Sequence, residues 1–418
     1  MRDAAILLIL LGLIWLAWLR PWLGVLGLAV LGIMHPQSYG GEGLATLPVY
    51  KILFLSTLSS AGYSFWRDKR WPTFFWDWRF AVIALLALDF LITTHYGLLP
   101  LTSRDRLPQM AMLVLPWLPM LLLIDTREKF TWLIATMALS IALVALKGGY
   151  WAVMTGFQDR VYGPPNTQIG GNNEFAVALA MTIPLMVFWL RQIREHQPRL
   201  LLMGLIALAY VAALTSWSRG GLVALAAMTA LLIWHSRRKY LALPILALGA
   251  ALAFVNLPEK WHERMGTLAS FQHDESFQSR VWAWERGMEF VRQDPLTGVG
   301  LDGWKQVNVF EGDTPSALDW HNAYVEIAAE HGIPGLVLWL ALLLGTLVSL
   351  TLLIDRDKRR SQPLASDAAA MLRASLVAFA VGGISLGTAY WELLYLVLGL
   401  AILSRRLSLA ESEAKPPP

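Results

Sequence analysis

"GLVLWLALLLGTLVSLTLLI", residues 335–354, runs for twenty residues without a charge. A helix of that length is about 30 Å long, the thickness of a bilayer's hydrocarbon core. Its apolar residues occupy every face instead of one stripe, which suits a helix surrounded by lipid. Three other blocks read the same way: "ILLILLGLIWLAWL" (6–19), "FAVIALLALDFLITT" (80–94) and "LLLMGLIALAYVAALTSW" (200–217). Of the 418 residues, 56% are hydrophobic and only 15% charged, with a mean hydropathy of +0.50. Soluble domains carry about a quarter charged residues. The fold class expected is therefore an all-α polytopic membrane protein.

Working outward from 335–354, apolar spans fall at 4–34, 47–65, 80–98, 108–124, 131–147, 174–190, 200–217, 221–235, 241–256, 334–354, 367–387 and 389–404. That makes about twelve transmembrane helices. The first span contains "LRPW" at 19–22, so it is one broken helix or two short ones, and thirteen spans is the alternative count. The short loops "WRDKRW", "DTREK", "RQIREHQPR", "HSRRKY", "DRDKRR" and "SRR" lie on one side if the spans alternate. They hold about seventeen Lys or Arg against about three in the short loops opposite, which marks their side as cytoplasmic. A net charge of +4 and a pI near 9.2 thus reflect topology, not nucleic-acid binding.

Two segments on the opposite side exceed simple turns. One is 147–175; the other runs from 257 to 320. In the second, Phe277, Val281, Trp284, Met288 and Val291 recur at helical spacing, predicting an amphipathic helix that "DPLTGVGLDGW" then breaks. The segment has too few apolar residues for its own core, so it is expected to lie on the membrane helices as a cap. The domain reading is 1–256 as an N-terminal transmembrane bundle, 257–333 as an extracytoplasmic loop domain with amphipathic helices, 334–404 as C-terminal transmembrane helices and 405–418 as a cytoplasmic tail. No signal-peptide pattern is seen, so the first helix is read as retained. The chain has no cysteine, which removes disulfides, thiolate chemistry and Cys-based zinc sites.

Chemistry concentrates on the extracytoplasmic side. His321, in "DWHNAYVEIAAEHGIPG" (319–335), starts a short helix running into the 334–354 span, with Asn322 beside it. A histidine there can take a proton from a hydroxyl, or it is an interfacial residue bonded to backbone. His331 lies in the last turn of that helix before Gly332, a place for a structural C-cap. The two histidines stand about 80° and nearly three turns apart, which disfavours a metal site. No nucleotide-binding motif is present and no cofactor is expected. Arg219, in "TSWSRGGLVAL", sits at the turn between two apolar helices on the side of His321, either as a site residue or snorkelling to lipid phosphates. Arg280 and Trp284 share a face of the amphipathic helix, whereas Arg286 points away and reads as solvated. Arg160 belongs to the other long loop. Arginines from separate segments beside a histidine suit a diphosphate, which guanidinium groups grip bidentately. Asp89 and Lys147, near or within apolar blocks, invite a transporter reading, but too few charges lie in the spans for a relay.

"TSWSRGGLVAL" (215–225), "SRVWAWERGMEFVRQDPLTGVGLDGW" (279–304) and "HNAYVEIAAEHGIPGLVLWL" (321–340) resemble, in order, the motifs of the O-antigen ligase and polymerase superfamily. "RPWLGVLGLAVLGIMHPQSYG" (20–40) is similar to a ligase-like subgroup described as O-glycosylation ligases. The resemblance implies glycosyl transfer at the periplasmic face of a bacterial inner membrane, independent of metal and nucleotide. The implied donor is a glycan on undecaprenyl diphosphate, and the implied acceptor is a sugar hydroxyl of lipid A–core. The family's catalytic histidine falls on His321. Its diphosphate-binding arginines fall on Arg219 and Arg280, with Arg160 a looser match. Trp284 would support the site, as would Asn322, which follows the histidine. Trp282, Trp284 and Trp320 either stack on sugars or form an interfacial belt. Three other readings stay open: an O-antigen polymerase, a protein O-oligosaccharyltransferase with the same donor, and a polysaccharide transporter.

Overall fold

The computed structural model describes residues 2–73, 75–236, 239–266, 275–307, 309–310, 316–359 and 363–414. Parts of the 257–320 segment and of the basic loops at 235–240 and 355–360 lie outside these residues. The 4–34 stretch resolves into two helices, α1 (Arg2–Leu19) and α2 (Pro21–Met34). Arg20 between them is extended, and Pro21 opens α2 where its missing N–H costs nothing. After a 3-10 turn (Pro36–Tyr39) and the short α3 (Glu42–Ala45), α4 (Val49–Asp68) packs back on both. Ser60 of α4 donates its hydroxyl to the carbonyl of Ala17 at 2.7 Å. Next come α5 (Trp78–Tyr96), α6 (Pro100–Val114) and α7 (Trp117–Leu123).

The centre is α9 (Asn172–Gln192), whose residues Phe175 to Met186 are all buried. Around it stand α8 (Arg127–Met154), α10 (His196–Leu214), α11 (Arg219–His235) and α17 (Pro363–Gly382). Between α11 and α17 lie α12 (Lys239–Asn256), α13 (Glu259–Gly266), the amphipathic α14 (Glu275–Gln293), α15 (Trp304–Val307) and α16 (Ala323–Arg359). Two two-residue strands, β1 (Val309–Phe310) and β2 (Ser316–Ala317), pair antiparallel. The chain ends with a 3-10 turn (Gly383–Ser385) and α18 (Glu392–Ala414).

Among the described residues, ten helices are long and apolar enough to cross a membrane, so this is a multi-pass membrane protein. The expected count was about twelve. Helical segments lie in every expected span, but 108–124 is split between α6 and α7 by a turn at residues 115–116, and α2 and α11 are shorter, at 14 and 17 residues. The 20-residue α4 is diluted by Ser56, Thr57, Ser59, Ser60 and Ser64.

The long loop is sewn to the membrane helices by backbone groups that α16 itself leaves free. Gly332 interrupts α16 with φ 66 and ψ −168. Pro334 has no N–H, so the Glu330 carbonyl lacks its helical donor and instead accepts from Gly300 at 3.1 Å. The Ala329 carbonyl accepts from Val299 at 2.8 Å, and the N–H of Ile333 donates to Pro295 at 2.8 Å. Leu98 and Leu99, after α5, donate to Gly298 and Val299. Phe290, Val299, Trp320 and Ala329 then form one small apolar cluster. The loop's apolar residues are thus completed by α16.

Candidate active site

Three helix N-termini meet at one end of the bundle. Ser218 caps α11, its hydroxyl accepting from the N–H of Gly221 at 3.0 Å, which makes Arg219 the first helical residue. A cation there opposes the helix dipole, so the arrangement favours a bound anion. Gly220 lets the turn at Gly383–Ser385 come close: a Cβ on Gly220 would collide with the Ser385 hydroxyl. On its other side that turn meets the start of α16, where a Cβ on Gly383 would lie 3.4 Å from the Cβ of Ala323. The chain segments that carry Arg219 and His321 therefore adjoin one short turn. The start of α9 joins them through Asn172, whose amide donates to the carbonyl of Ser216 at 2.8 Å.

His321 is half-buried and adopts φ 48, a left-handed conformation rare for a side chain with a Cβ. Burial, and secondarily the positive charge of Arg280, push its pKa down to about 4. The imidazole is therefore neutral at physiological pH, with a lone pair to accept a proton. Arg280 acts on His321 and also on Glu174 of α9, which places the α14 arginine among these helix ends. Asp319 completes the group. Burial pushes its carboxyl up to about 6, the N–H groups of Trp320 and His321 pull it down, and the charges of Glu174 and Asp302 push it up again. Its oxygens fill the space where a Cβ on Gly387 would sit.

Asn322 is the N-cap of α16, its side-chain oxygen accepting from the N–H of Tyr324 at 2.9 Å and of Val325 at 3.2 Å. Trp284 is half-buried, packs edge-on against Phe277 with centroids 6.1 Å apart, and keeps a buried indole N–H without a hydrogen-bond partner. Arg286, read as solvated, covers the ring of Phe290 at 4.7 Å and bonds Glu289 at 2.6 Å. Arg160 is exposed and lies over the indole of Trp217, 5.4 Å from its centroid. Trp217 precedes Ser218 and Arg219, so Arg160 borders the same turn from outside. With Lys147, Tyr39, Tyr150, Trp151 and Tyr162, Arg160 also lines a cavity of about 380 Å³. His331 lies elsewhere: it is fully buried, bonded through Nδ1 to Thr93 at 2.7 Å, with Asp89 at 3.8 Å.

Several members of the site escaped the sequence reading. Arg264 of α13 donates Nε to the carbonyl of Trp217 at 3.0 Å, bringing a further arginine to the Arg219 turn. Glu174 and Ser385 come from segments whose approach depends on helix packing, and Asp319 stands two residues before His321. Glu326 and Glu330 hold the loop before α18: Glu326 accepts from the N–H of Ala389 at 2.9 Å, and Glu330 from the hydroxyl of Tyr390 at 2.9 Å and the indole of Trp320 at 3.2 Å.

Residues 203–340 match the family model described as O-antigen ligase. Residues 1–195 match a second model, described as a family of unknown function. No curated protein matches the chain. The resemblance to the O-antigen ligase superfamily is thus shown for the segment carrying Arg219, Arg280 and His321. It supports a function of the O-antigen ligase or polymerase type, and so an enzyme. Arg160 lies in the other matched segment.

Proposed function

We propose that the protein is an O-antigen ligase, moving a glycan from undecaprenyl diphosphate to a lipid A–core sugar hydroxyl at the periplasmic face of the inner membrane. The observation that supports this reading most is that the helix starts following Ser218 and Asn322, which carry or adjoin Arg219 and His321, both meet the Gly383–Ser385 turn, with the charge of Arg280 acting on His321. The diphosphate is held at the start of α11 by Arg219 and by Arg280, with Arg160 at the outer edge. His321 removes the proton of the acceptor hydroxyl as its oxygen attacks the anomeric carbon. The bond from that carbon to the phosphate oxygen breaks, and its electron pair stays on the diphosphate. Direct displacement inverts the anomeric centre. The arginines stabilise the charge growing on the leaving group.

The electrostatics give this sequence an order. In the free site burial, and to a smaller extent Arg280, hold the His321 pKa down. A diphosphate beside Arg280 offsets that charge and makes His321 a stronger base, so the site is primed by its donor. The 257–333 segment acts as a cap that keeps water from the donor.

The test uses purified protein in nanodiscs with chelator and no nucleotide, given undecaprenyl-diphosphate-linked glycan and lipid A–core. Ligated product on a gel from the wild type and none from His321→Ala supports the assignment. Longer glycans made from the donor alone point to a polymerase, and glycan found on an added Ser/Thr peptide points to protein glycosylation. Donor transported intact with no covalent product overturns the enzyme reading.

A further inference from the structure

At the bundle end opposite His321, a groove of about 660 Å³ opens between α5, α16 and α18. Ala341, Gly345, Val348 and Leu352 recur along one face of α16 and form its length. Eleven residues of helix span about 16 Å, close to half of a hydrocarbon core of about 30 Å. The groove is therefore about one leaflet deep, and among the described residues Ser349 is the one polar side chain along it before the arginines. Trp78 lines it as well, its indole occupying the space above Gly345. At the polar end stand Arg356 and Arg405, both half-exposed.

The charges behind that end do not cancel. Arg405 donates to Asp77 at 2.8 Å, and Arg356 donates to Asp357 at 3.2 Å and to the hydroxyl of Ser408. Both carboxylates are fully buried. Asp77 is shared with Arg79, which is also fully buried, bonds Asp77 at 2.9 Å and Thr346 at 2.8 Å, and lies over the Trp78 ring at 4.9 Å. One terminal nitrogen of Arg79 has no hydrogen-bond partner. Three guanidinium groups thus face two carboxylates, which leaves one positive charge. That surplus sits where an apolar trench one leaflet long meets the headgroup level. Basic pockets between helices on the side of the positive loops are sites for anionic headgroups.

We infer that this groove is a binding site for an anionic phospholipid, its phosphate against Arg356 and Arg405 and one acyl chain laid along Ala341–Leu352 on α16. The occupant is a lipid and not a soluble phosphate, because most of the site is the chain-length trench. The inference does not depend on the reaction at His321.

Delipidated full-length protein in detergent is titrated with phosphatidylglycerol or phosphatidylcholine of the same acyl chains, and bound lipid is counted by native mass spectrometry. Phosphatidylglycerol should bind more tightly by about fivefold or more, the worth of a single arginine at a lipid headgroup. Arg356→Gln should erase the preference while leaving chain binding. Val348→Trp, at an exposed position and so tolerable to the fold, should fill the trench and lower both lipids. Arg194→Gln, on another loop of the same end, should change neither. Equal binding of the two lipids by the wild type overturns the inference, as does a preference that survives Arg356→Gln. So does sn-glycerol 1-phosphate binding as tightly as the whole lipid, since the site would then be one for a soluble anion.

Discussion

The imidazole of His331 lies face to face on the ring of Phe90, with centroids 3.9 Å apart and planes 12° from parallel. Tyr390 meets the edge of both rings, and Thr93 holds Nδ1. The contact joins α5 to α16, and Tyr390 adds the segment that ends two residues later at α18. It also separates the two histidines of "DWHNAYVEIAAEHGIPG": His331 is fully buried, and His321 is half-buried just before the start of α16.

His331→Ala should therefore lower stability without removing the chemistry. It empties an aromatic-sized space and removes the bond to Thr93, whose hydroxyl keeps only the Phe90 carbonyl at 3.3 Å, a loss of about 2–5 kcal/mol. Thermal unfolding in detergent should show a lower Tm, while the transfer rate per folded molecule stays within a few-fold of the wild type. A rate lost at unchanged Tm would assign His331 to catalysis.

His321→Ala should show the reverse pattern, with unchanged Tm and transfer reduced by at least about 10²-fold. The pH dependence carries a sign. Because the His321 pKa is pushed down to about 4, kcat/KM should stay level as pH falls to near 4 and drop only below it. The kcat profile, taken with donor bound, should have its acid limb at a higher pH than that of kcat/KM, still falling as pH is lowered. Removing the charge in Arg280→Gln lifts the acid limb of kcat/KM upward, but not as far as a free histidine, because burial is the larger cause. Stability follows the same linkage. A folded pKa below that of the unfolded chain means the unfolded state binds more protons between about pH 6.5 and 4, so stability falls as pH is lowered through that window. His321→Ala should flatten that part of the curve.

Arg219 separates charge from geometry. Arg219→Gln should cut transfer on the order of 10²-fold, as expected for losing one preorganised donor to a developing anion. Arg219→Lys keeps the charge but not the planar fork, and should recover only part of that loss. Equal activity of Lys and Arg would make the residue a topological or lipid-facing cation.

Much of this was legible in the sequence, and the limits have physical causes. The apolar blocks located a helix at each span because a lipid-facing helix is apolar all round, a pattern one sequence displays by itself. The number of crossings was less secure. Ser60 is satisfied by the carbonyl of Ala17, so a polar residue inside α4 reflects packing that hydropathy does not record. At the site, Arg219, Arg280 and His321 stood out as charges on the less basic side. Arg264 and Glu174 did not, because an arginine in a polar loop and an acid in the first turn of a helix are ordinary until helix packing brings them together. Arg286 keeps its side chain 37% exposed, in line with its place on the helix, while it lies over the ring of its i+4 neighbour Phe290.

Asn322 tests whether the residue after the histidine touches substrate or shapes the helix. Asn322→Ala should cost about 1 kcal/mol through the lost cap and lower transfer, since the left-handed turn at His321 leans on that cap. Asn322→Asp keeps the accepting oxygen at a helix N-terminus and should restore both Tm and rate. If Asp restores stability and not rate, the amide N–H acts on substrate.

Gly332 tests the junction between the cap and the membrane helices. Its φ of 66 with ψ of −168 lies in a region that is almost exclusively glycine's. A Cβ there would sit 2.6 Å from the Pro295 carbonyl oxygen and 2.7 Å from the Leu296 carbonyl carbon. Gly332→Ala therefore combines about 1–3 kcal/mol of backbone strain with a clash at the point where Ile333 bonds Pro295. The 294–300 segment should lift from α16, freeing the Ala329 and Glu330 carbonyls. Amide hydrogen exchange should rise at Val299, Gly300 and Ile333 and stay unchanged at the buried centre of α9. Donor hydrolysis by water should increase relative to transfer if the loop excludes water. Exchange confined to wild-type levels at Val299 and Gly300 would show that these bonds do not depend on the break at Gly332.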